Sequence, residues 1–311
     1  MPHSAQTIAK RIAIRRARPS DKKIVLGFCR RTWGEWGDYI DKVWDEWVKD
    51  KKGFFAVASL EGKPIGTAKL TVLNKREMWF EGLRVDPSLR GMGISHLLTA
   101  FLAKEALKRG AETVRYATGA RNRASLHIGK GWGLRIVGRY SILSATSDGR
   151  RSNVFERISD PGATDEITRV VDSAPFTKAM AGLASEGWTF FQVDRDFLHD
   201  SFRKRELFTG APLGILIASP QRKKRRLLVK LVAELRKDSL GPLLSGTRRL
   251  AYELDLPRVR LIVPATRSIL ARAREAGFKE EDKGFYHVVM EMHLGDTRTG
   301  ARVARLIDRY L

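Results

Sequence analysis

Apolar Ile12 and Ile14 alternate with charged Arg11 and Arg15, and this period of two predicts an opening strand over 12–18. Ser20 stands at the N-cap position of a helix near 21–31. Ile40, Val43, Trp44 and Trp47 then fall on one stripe of a second helix, 38–49. Strands over 54–60 and 64–73 flank Glu61-Gly62-Lys63, a hairpin turn, and another strand follows over 78–85. A loop, 86–91, leads into a helix over 93–109. Its Ile94, Leu97, Leu98, Phe101 and Leu102 recur at helical spacing, and Gly110 suits its end. A strand over 113–118, a short helix over 123–130 and a strand over 134–143 complete this half.

Thr146–Arg151 and the turn Ser159-Asp160-Pro161-Gly162 read as a junction. Beyond it come strands over 213–219 and 226–235, a helix over 241–254, a strand over 259–263, a helix over 266–275 and a strand over 286–292. This order repeats the latter part of the first half, which predicts a degenerate internal duplication with domains over 1–148 and 160–311. The fold class is α/β (α+β), a mixed twisted sheet flanked by helices in each of two tandem domains.

Composition narrows the chemistry. The 311 residues are 43% hydrophobic and 30% charged, as in a globular chain. Cys29 is the one cysteine, so an internal disulfide framework and a thiolate metal cluster are both excluded, and no metal is expected. No run of 18 apolar residues is present, so no membrane partner is expected. The first twenty residues are rich in arginine and lack acids, as transit peptides do, but the alternation at Ile12 and Ile14 favours a strand, and a cytoplasmic location is expected. The formal net charge of +23 favours anionic partners such as a phosphorylated cofactor or nucleic acid. The densest basic run, Arg222-Lys223-Lys224-Arg225-Arg226, lies between two predicted strands; a solvated hairpin tip and a nucleic-acid contact both fit it.

The most informative stretch is Trp79-Phe80-Glu81-Gly82-Leu83-Arg84-Val85-Asp86-Pro87-Ser88-Leu89-Arg90-Gly91-Met92-Gly93-Ile94-Ser95. A strand runs into a glycine-containing loop that opens a helix, which aims free backbone N–H groups and the positive end of the helix dipole at one spot. Gly91 and Gly93 remove side chains that would keep a phosphate off the backbone, and Arg90 adds a charged donor. The Gly-Lys-Ser/Thr of a nucleotide P-loop and the three-glycine dinucleotide fingerprint are both missing.

This segment resembles the signature of the GNAT superfamily of N-acetyltransferases, Arg/Gln-x-x-Gly-x-Gly/Ala, through Arg90, Gly93 and Ser95. Asn122 through Ala124 and Ser125 to Gly133-Leu134 is similar to the family's later Asn…Gly-Phe segment, and Ile14 through Asp21 to its first strand and helix. The resemblance spans about residues 12–143 and implies a GNAT acyl-CoA N-acyltransferase fold. It implies that acetyl-CoA is the cosubstrate and that an amine, on a small molecule or a protein, is the acceptor. Backbone groups of Leu83, Arg84 and Val85 would pair with the pantetheine arm. Arg90, Gly91, Met92, Gly93, Ile94 and Ser95 would cradle the pyrophosphate, and Asn122 would reach the cofactor from the far side. The amine would attack the thioester directly in a ternary complex.

Glu81 is the candidate general base, placed by strand alternation on one face with Trp79, Leu83 and Val85; ordering the strand is its other reading. The tyrosine that many family members place four residues before Gly-Phe is Gly129 here, which leaves His127 and Tyr140 as nearby proton donors, or water. Trp33, Trp36, Trp44 and Trp47, with Glu35, Asp38, Asp41, Asp45, Glu46 and Asp50, suit either an aromatic, acidic wall for a cationic amine or a core stripe. In the second half Leu261–Thr266 to Ala276-Gly277-Phe278 resembles the late part of a GNAT domain. Its counterpart of the phosphate loop, Lys237-Asp238-Ser239-Leu240-Gly241-Pro242, has one glycine followed by a proline that lacks an N–H, and no cofactor is expected there. The competing reading is a basic protein that binds nucleic acid or a nucleoprotein, with the acyl site vestigial or auxiliary.

Overall fold

The computed structural model describes residues 11–33, 37–149, 155–210 and 212–311. They form two compact units that interleave along the chain. The first takes the chain through Tyr116, then Arg123–Arg135 and Met290–Leu311; the second takes Ala117–Asn122 and Ile136–Val289.

In the first unit, strands β1 (Ile12–Arg16), β2 (Phe54–Leu60), β3 (Lys63–Val72) and β4 (Glu77–Val85) pair antiparallel in sequence order. Glu61 and Gly62 both take positive φ, 51° and 81°, as the two-residue turn between β2 and β3 requires. Strand β5 (Thr113–Gly119) joins β4 in parallel. Helices α1 (Lys22–Trp33) and α2 (Ile40–Lys49) cover the sheet through a core of Val25, Phe28, Cys29, Ile40, Trp44, Trp47, Phe55 and Val57. Trp44 and Trp47 meet the Phe55 ring edge-on at 5.0 and 5.1 Å. Burial holds the Cys29 thiol up at about 12, so it stays protonated. Ser20 does not cap α1. It lies in a 3-10 turn, Pro19–Asp21, where the Asp21 carboxylate accepts the Arg18 N–H at 2.8 Å and two Arg15 N–H groups at 2.7 and 2.8 Å.

Helices α3 (Ile94–Lys108) and α4 (Arg123–Gly131) follow β4 and β5. The end of strand β15 (His287–His293) lies next to β5. A buried Arg115 on β5 fixes it there, bonded to Glu77 at 3.1 Å and to Glu291. Helix α10 (Thr297–Tyr310) closes this unit on α3, its N-terminus capped by the Asp296 carboxylate. The first unit thus takes its last strand and helix from the far end of the chain.

The second unit repeats the connectivity. Its strand order is β6 (Arg135–Thr146), β13 (Arg258–Pro264), β12 (Arg226–Glu234), β11 (Gly214–Gln221), β10 (Leu207–Gly210) and β7 (Glu156–Arg157). β11 and β12 form an antiparallel hairpin with the basic run at its turn, and β12 and β13 are parallel. Helices α8 (Leu240–Glu253) and α9 (Arg267–Glu275) occupy the places of α3 and α4. Between residues 156 and 210 lie elements not predicted above: α5 (Thr164–Ser173), α6 (Pro175–Ala179), the hairpin β8 (Leu183–Glu186) and β9 (Thr189–Gln192), and α7 (Arg195–Arg203). A two-residue strand, β14 (Lys279–Glu280), pairs with β6. Among the described residues, no helix is long and apolar enough to cross a membrane.

Candidate active site

The β4–α3 turn is built to leave amides open. Asp86 orders its start: the carboxylate accepts from the Ser88 N–H at 3.1 Å, the Ser88 hydroxyl at 2.9 Å and Arg31 at 3.1 Å. Gly91 and Gly93 then take left-handed φ values of 81° and 79°, and Gly93 is the N-cap of α3 with no side-chain cap. Among the described residues none of the N–H groups of Gly91, Met92, Gly93, Ile94 and Ser95 donates to a protein acceptor. Arg90 and Gly91 are exposed, Ile94 is buried beneath, and a Cβ on Gly91 would meet nothing within 4 Å. An orphaned row of amides at a helix head suits a diphosphate.

On β4 the structure departs from simple alternation. Lys69 pairs with Glu81 but Thr67 pairs with Arg84, so one extra residue bulges out after Glu81. Glu81 therefore shares its face with Arg84, and Leu83 and Val85 lie on the other. Gly82 makes the bulge possible: its φ is +64°, and a Cβ there would lie 2.6 Å from the Trp47 ring. The neighbours of Glu81 are consequently polar. Its carboxylate accepts the Thr71 hydroxyl at 2.5 Å, with the Lys69 ammonium and Tyr39 within electrostatic reach. Burial still raises the Glu81 pKa above the ordinary glutamate value, against the opposing pull of Thr71 and Lys69. Lys69 is itself buried and tied to Asp50 and to its own neighbour's carbonyl, Leu70 O, at 2.8 Å.

The β4–β5 ladder covers only Glu77–Trp79 against Thr113–Arg115, so past Gly82 the β5-facing side of β4 is not used by β5. There the Leu83 carbonyl accepts the Arg84 guanidinium at 2.9 Å, and Asp38 holds that guanidinium at 2.6 and 3.2 Å. Trp44 and Trp47 are core, 0% and 6% exposed, which settles the open reading against an aromatic wall made of them. Tyr39, 42% exposed and edge-on to Trp47 at 5.9 Å, is the aromatic that faces out beside Glu81. Asp38 and Asp50 are spent on Arg84 and Lys69, and Glu46 is exposed. Glu35, Trp36 and the Trp33 side chain lie outside the described residues.

His127 is exposed on α4. Tyr140 is buried in the second unit, its hydroxyl donating to Met180 O at 3.0 Å. Asn122, in the turn before α4, is half-buried and counted with the second unit. Tyr116 is the residue that hydropathy missed: its hydroxyl donates to Ser125 O at 2.7 Å and sits where a Cβ on Gly129 would begin, 2.3 Å away. The signal for it was the glycine itself, since a helix interior holding glycine marks a close approach. Burial raises the Tyr116 phenol to about 12.

Residues 23–130 match the sequence model of the Acetyltransferase (GNAT) family. That segment carries the sequence pattern of the GNAT family. A GCN5-related N-acetyltransferase from Sphaerobacter thermophilus superposes with a TM-score of 0.58 at 16% identity, over 91% of this chain and 96% of that one. A GCN5-related glucosamine N-acetyltransferase region of a fungal multi-domain β-N-acetylglucosaminidase gives 0.60 at 15% identity, over 90% and 38%. A tandem GNAT protein from the clavulanic acid biosynthesis pathway gives 0.51 at 14%, over 92% and 99%. At these identities the likeness is one of fold, and it supports two GNAT-like domains in this chain. A search of curated proteins returns no match.

Proposed function

We propose that the first GNAT domain transfers the acetyl group of acetyl-CoA to a primary amine, and that the degenerate C-terminal domain binds no acetyl-CoA. The observation that carries this reading is the row of open amides from Gly91 to Ser95 at the head of α3. Gly91, Met92, Gly93, Ile94 and Ser95 hold the diphosphate by their N–H groups, Arg90 adds charge, and the β5-facing backbone of Leu83, Arg84 and Val85 takes the pantetheine arm. Acetyl-CoA supplies an activated acyl group; the chain supplies placement and a base.

Glu81 is that base. Its carboxylate, raised by burial and oriented by the Thr71 hydroxyl, takes a proton from the incoming ammonium, directly or through one water. The acceptor enters over Tyr39, beside exposed Glu46, a setting that favours a cation. With glycine at 129, the departing sulfur takes its proton from water.

Purified protein is expected to bind CoA in calorimetry and to release free thiol from acetyl-CoA when offered a library of amines. Glu81→Gln should keep CoA affinity and lose about 10²–10⁴-fold in turnover, the usual contribution of a positioned base. Unchanged turnover would remove Glu81 from the mechanism, and a silent calorimeter would remove the acetyl-CoA reading.

A further inference from the structure

Helix α10 brings side chains to the head of α3 that the reading above does not use. Tyr310 stacks on the His96 ring, in the first turn of α3, at 5.0 Å and 6°. Trp132, just past α4, donates its indole N–H to His96 Nδ1 at 3.3 Å and lies 5.9 Å from the Tyr310 ring. An indole only donates, so His96 Nδ1 is the acceptor and the neutral ring carries its proton on Nε2. That Nε2–H makes no hydrogen bond among the described residues. The Arg309 guanidinium lies 5.8 Å from the Tyr310 ring centre, and Arg302 fastens the other end of α10 to Gly131 O at 3.0 Å.

The cluster is cationic and faces water. His127 and Arg309 are exposed, and both lie within electrostatic reach of half-buried His96. Burial, then His127 and Arg309, lower the His96 pKa, which keeps it a neutral donor. Three helices thus bring the Arg309 guanidinium and the exposed His127 imidazole within electrostatic reach of the tautomer-locked His96 N–H, and His96 directly follows the open amides at Gly91–Ser95. In coenzyme A the ribose that follows the diphosphate bears a phosphomonoester, so a ligand seated on those amides must place its 3′-phosphate within one sugar of them.

We propose that Arg309, His96 and His127 form a phosphomonoester site that reads the 3′-phosphate of coenzyme A, a role that rests on the diphosphate reading of the β4–α3 turn. The C-terminal helix then takes part in choosing the cosubstrate of the N-terminal domain.

The test is calorimetry of the full chain with CoA and with 3′-dephospho-CoA. The intact protein should prefer CoA by about tenfold or more, the range of one or two charge-assisted hydrogen bonds. Arg309→Gln should weaken CoA to the level of dephospho-CoA and leave dephospho-CoA where it was; His127→Gln should remove part of the preference. Both side chains are exposed, and dephospho-CoA binding reports that the site is intact. Equal affinities in the intact protein, or an Arg309→Gln effect equal on both ligands, would overturn the phosphomonoester site while leaving the diphosphate reading standing. Heat from neither ligand would overturn both.

Discussion

The β4–α3 and β12–α8 segments share one architecture and differ at the positions where chemistry would sit. In each, a nine-residue strand begins a parallel ladder and runs into a helix flanking the sheet. Glu81 lies four residues beyond the first ladder pair of β4; the same count on β12 reaches Leu231, which is 1% exposed. The cross-strand partner of Glu81 is Lys69, and that of Leu231 is Ile217. At the turn, two left-handed glycines hold amides open before α3. Before α8 no left-handed residue occurs among 237–242, and Pro242 in the first helical turn has no N–H. Arg249 and Arg272 line a cavity of about 420 Å³ there with Gly241, Pro242 and Glu275, so space and positive charge remain where the amide cradle is gone. The comparison teaches that scaffold and site are specified by different residues: the apolar strands are shared, and the two segments differ at the few positions to which the proposed chemistry is assigned.

The strongest way to break that comparison is to place valine at the two turns. Gly93→Val forces a β-branched residue to φ +79° and puts its methyls against the open amides; CoA affinity should fall about 100-fold or more, close to the loss of two charge-assisted hydrogen bonds. Gly241→Val meets open space, since a Cβ there has nothing within 4 Å, and CoA affinity should change less than about twofold. Calorimetry on both variants decides it. Comparable losses would mean that the second turn also binds the cosubstrate.

Such contrasts explain what hydropathy could and could not read. The strand over 54–60 and the helix over 94–108 were legible because their apolar runs are long and their ends carry turn glycines. The left-handed turn before α3 was legible because Gly91 and Gly93 act locally. The bulge after Glu81 was not: it depends on Trp47, 35 positions earlier, lying against Gly82. Helix α10 was legible but passed over: Val303, Leu306, Ile307 and Tyr310 recur at helical spacing on it, and Val303 and Ile307 are buried. In the segment 156–210 the strands are too short to show a period, whereas the helix over 164–173 carries one through Ile167, Val170 and Val171 and was passed over.

The next contrast lies one strand over. Gly133-Leu134 after α4 matches Gly277-Phe278 after α9, both glycines left-handed, and the residue four before each glycine is Gly129 in one half and buried Ala273 in the other. Counting from the first ladder pair, Tyr116 on β5 corresponds to Ile262 on β13. Alanine fits in the second half, where no phenol reaches the helix. Gly129→Ala should therefore destabilise the protein by about 1–3 kcal/mol, the usual cost of overpacking, because the new Cβ falls 2.3 Å from the Tyr116 hydroxyl. Adding Tyr116→Phe removes that oxygen, so the double variant should recover part of the loss in urea denaturation. Additive losses would place the clash elsewhere.

The smallest effect concerns charge at Glu81, which Leu231 cannot imitate. A carboxyl whose pKa is raised by burial contributes stability below its unfolded pKa and loses it as pH rises through the folded one. Ionised Glu81 is thus a liability to the fold, and on the proposed mechanism it is the form that the reaction needs. Turnover should rise with pH through the raised pKa, while Glu81→Gln should melt higher than the parent at pH 8 and show a shrinking advantage as pH falls toward the ordinary glutamate range. Lys69 keeps Asp50 in the variant, so no buried cation is stranded. For domains of 150–250 residues about 1 kcal/mol moves the midpoint by roughly 2–4 °C, so a scan at two pH values resolves the sign. A variant that melts lower at pH 8 would show that the Thr71 and Lys69 contacts outweigh desolvation, and Glu81 would then be a structural carboxylate in a unit whose base lies elsewhere.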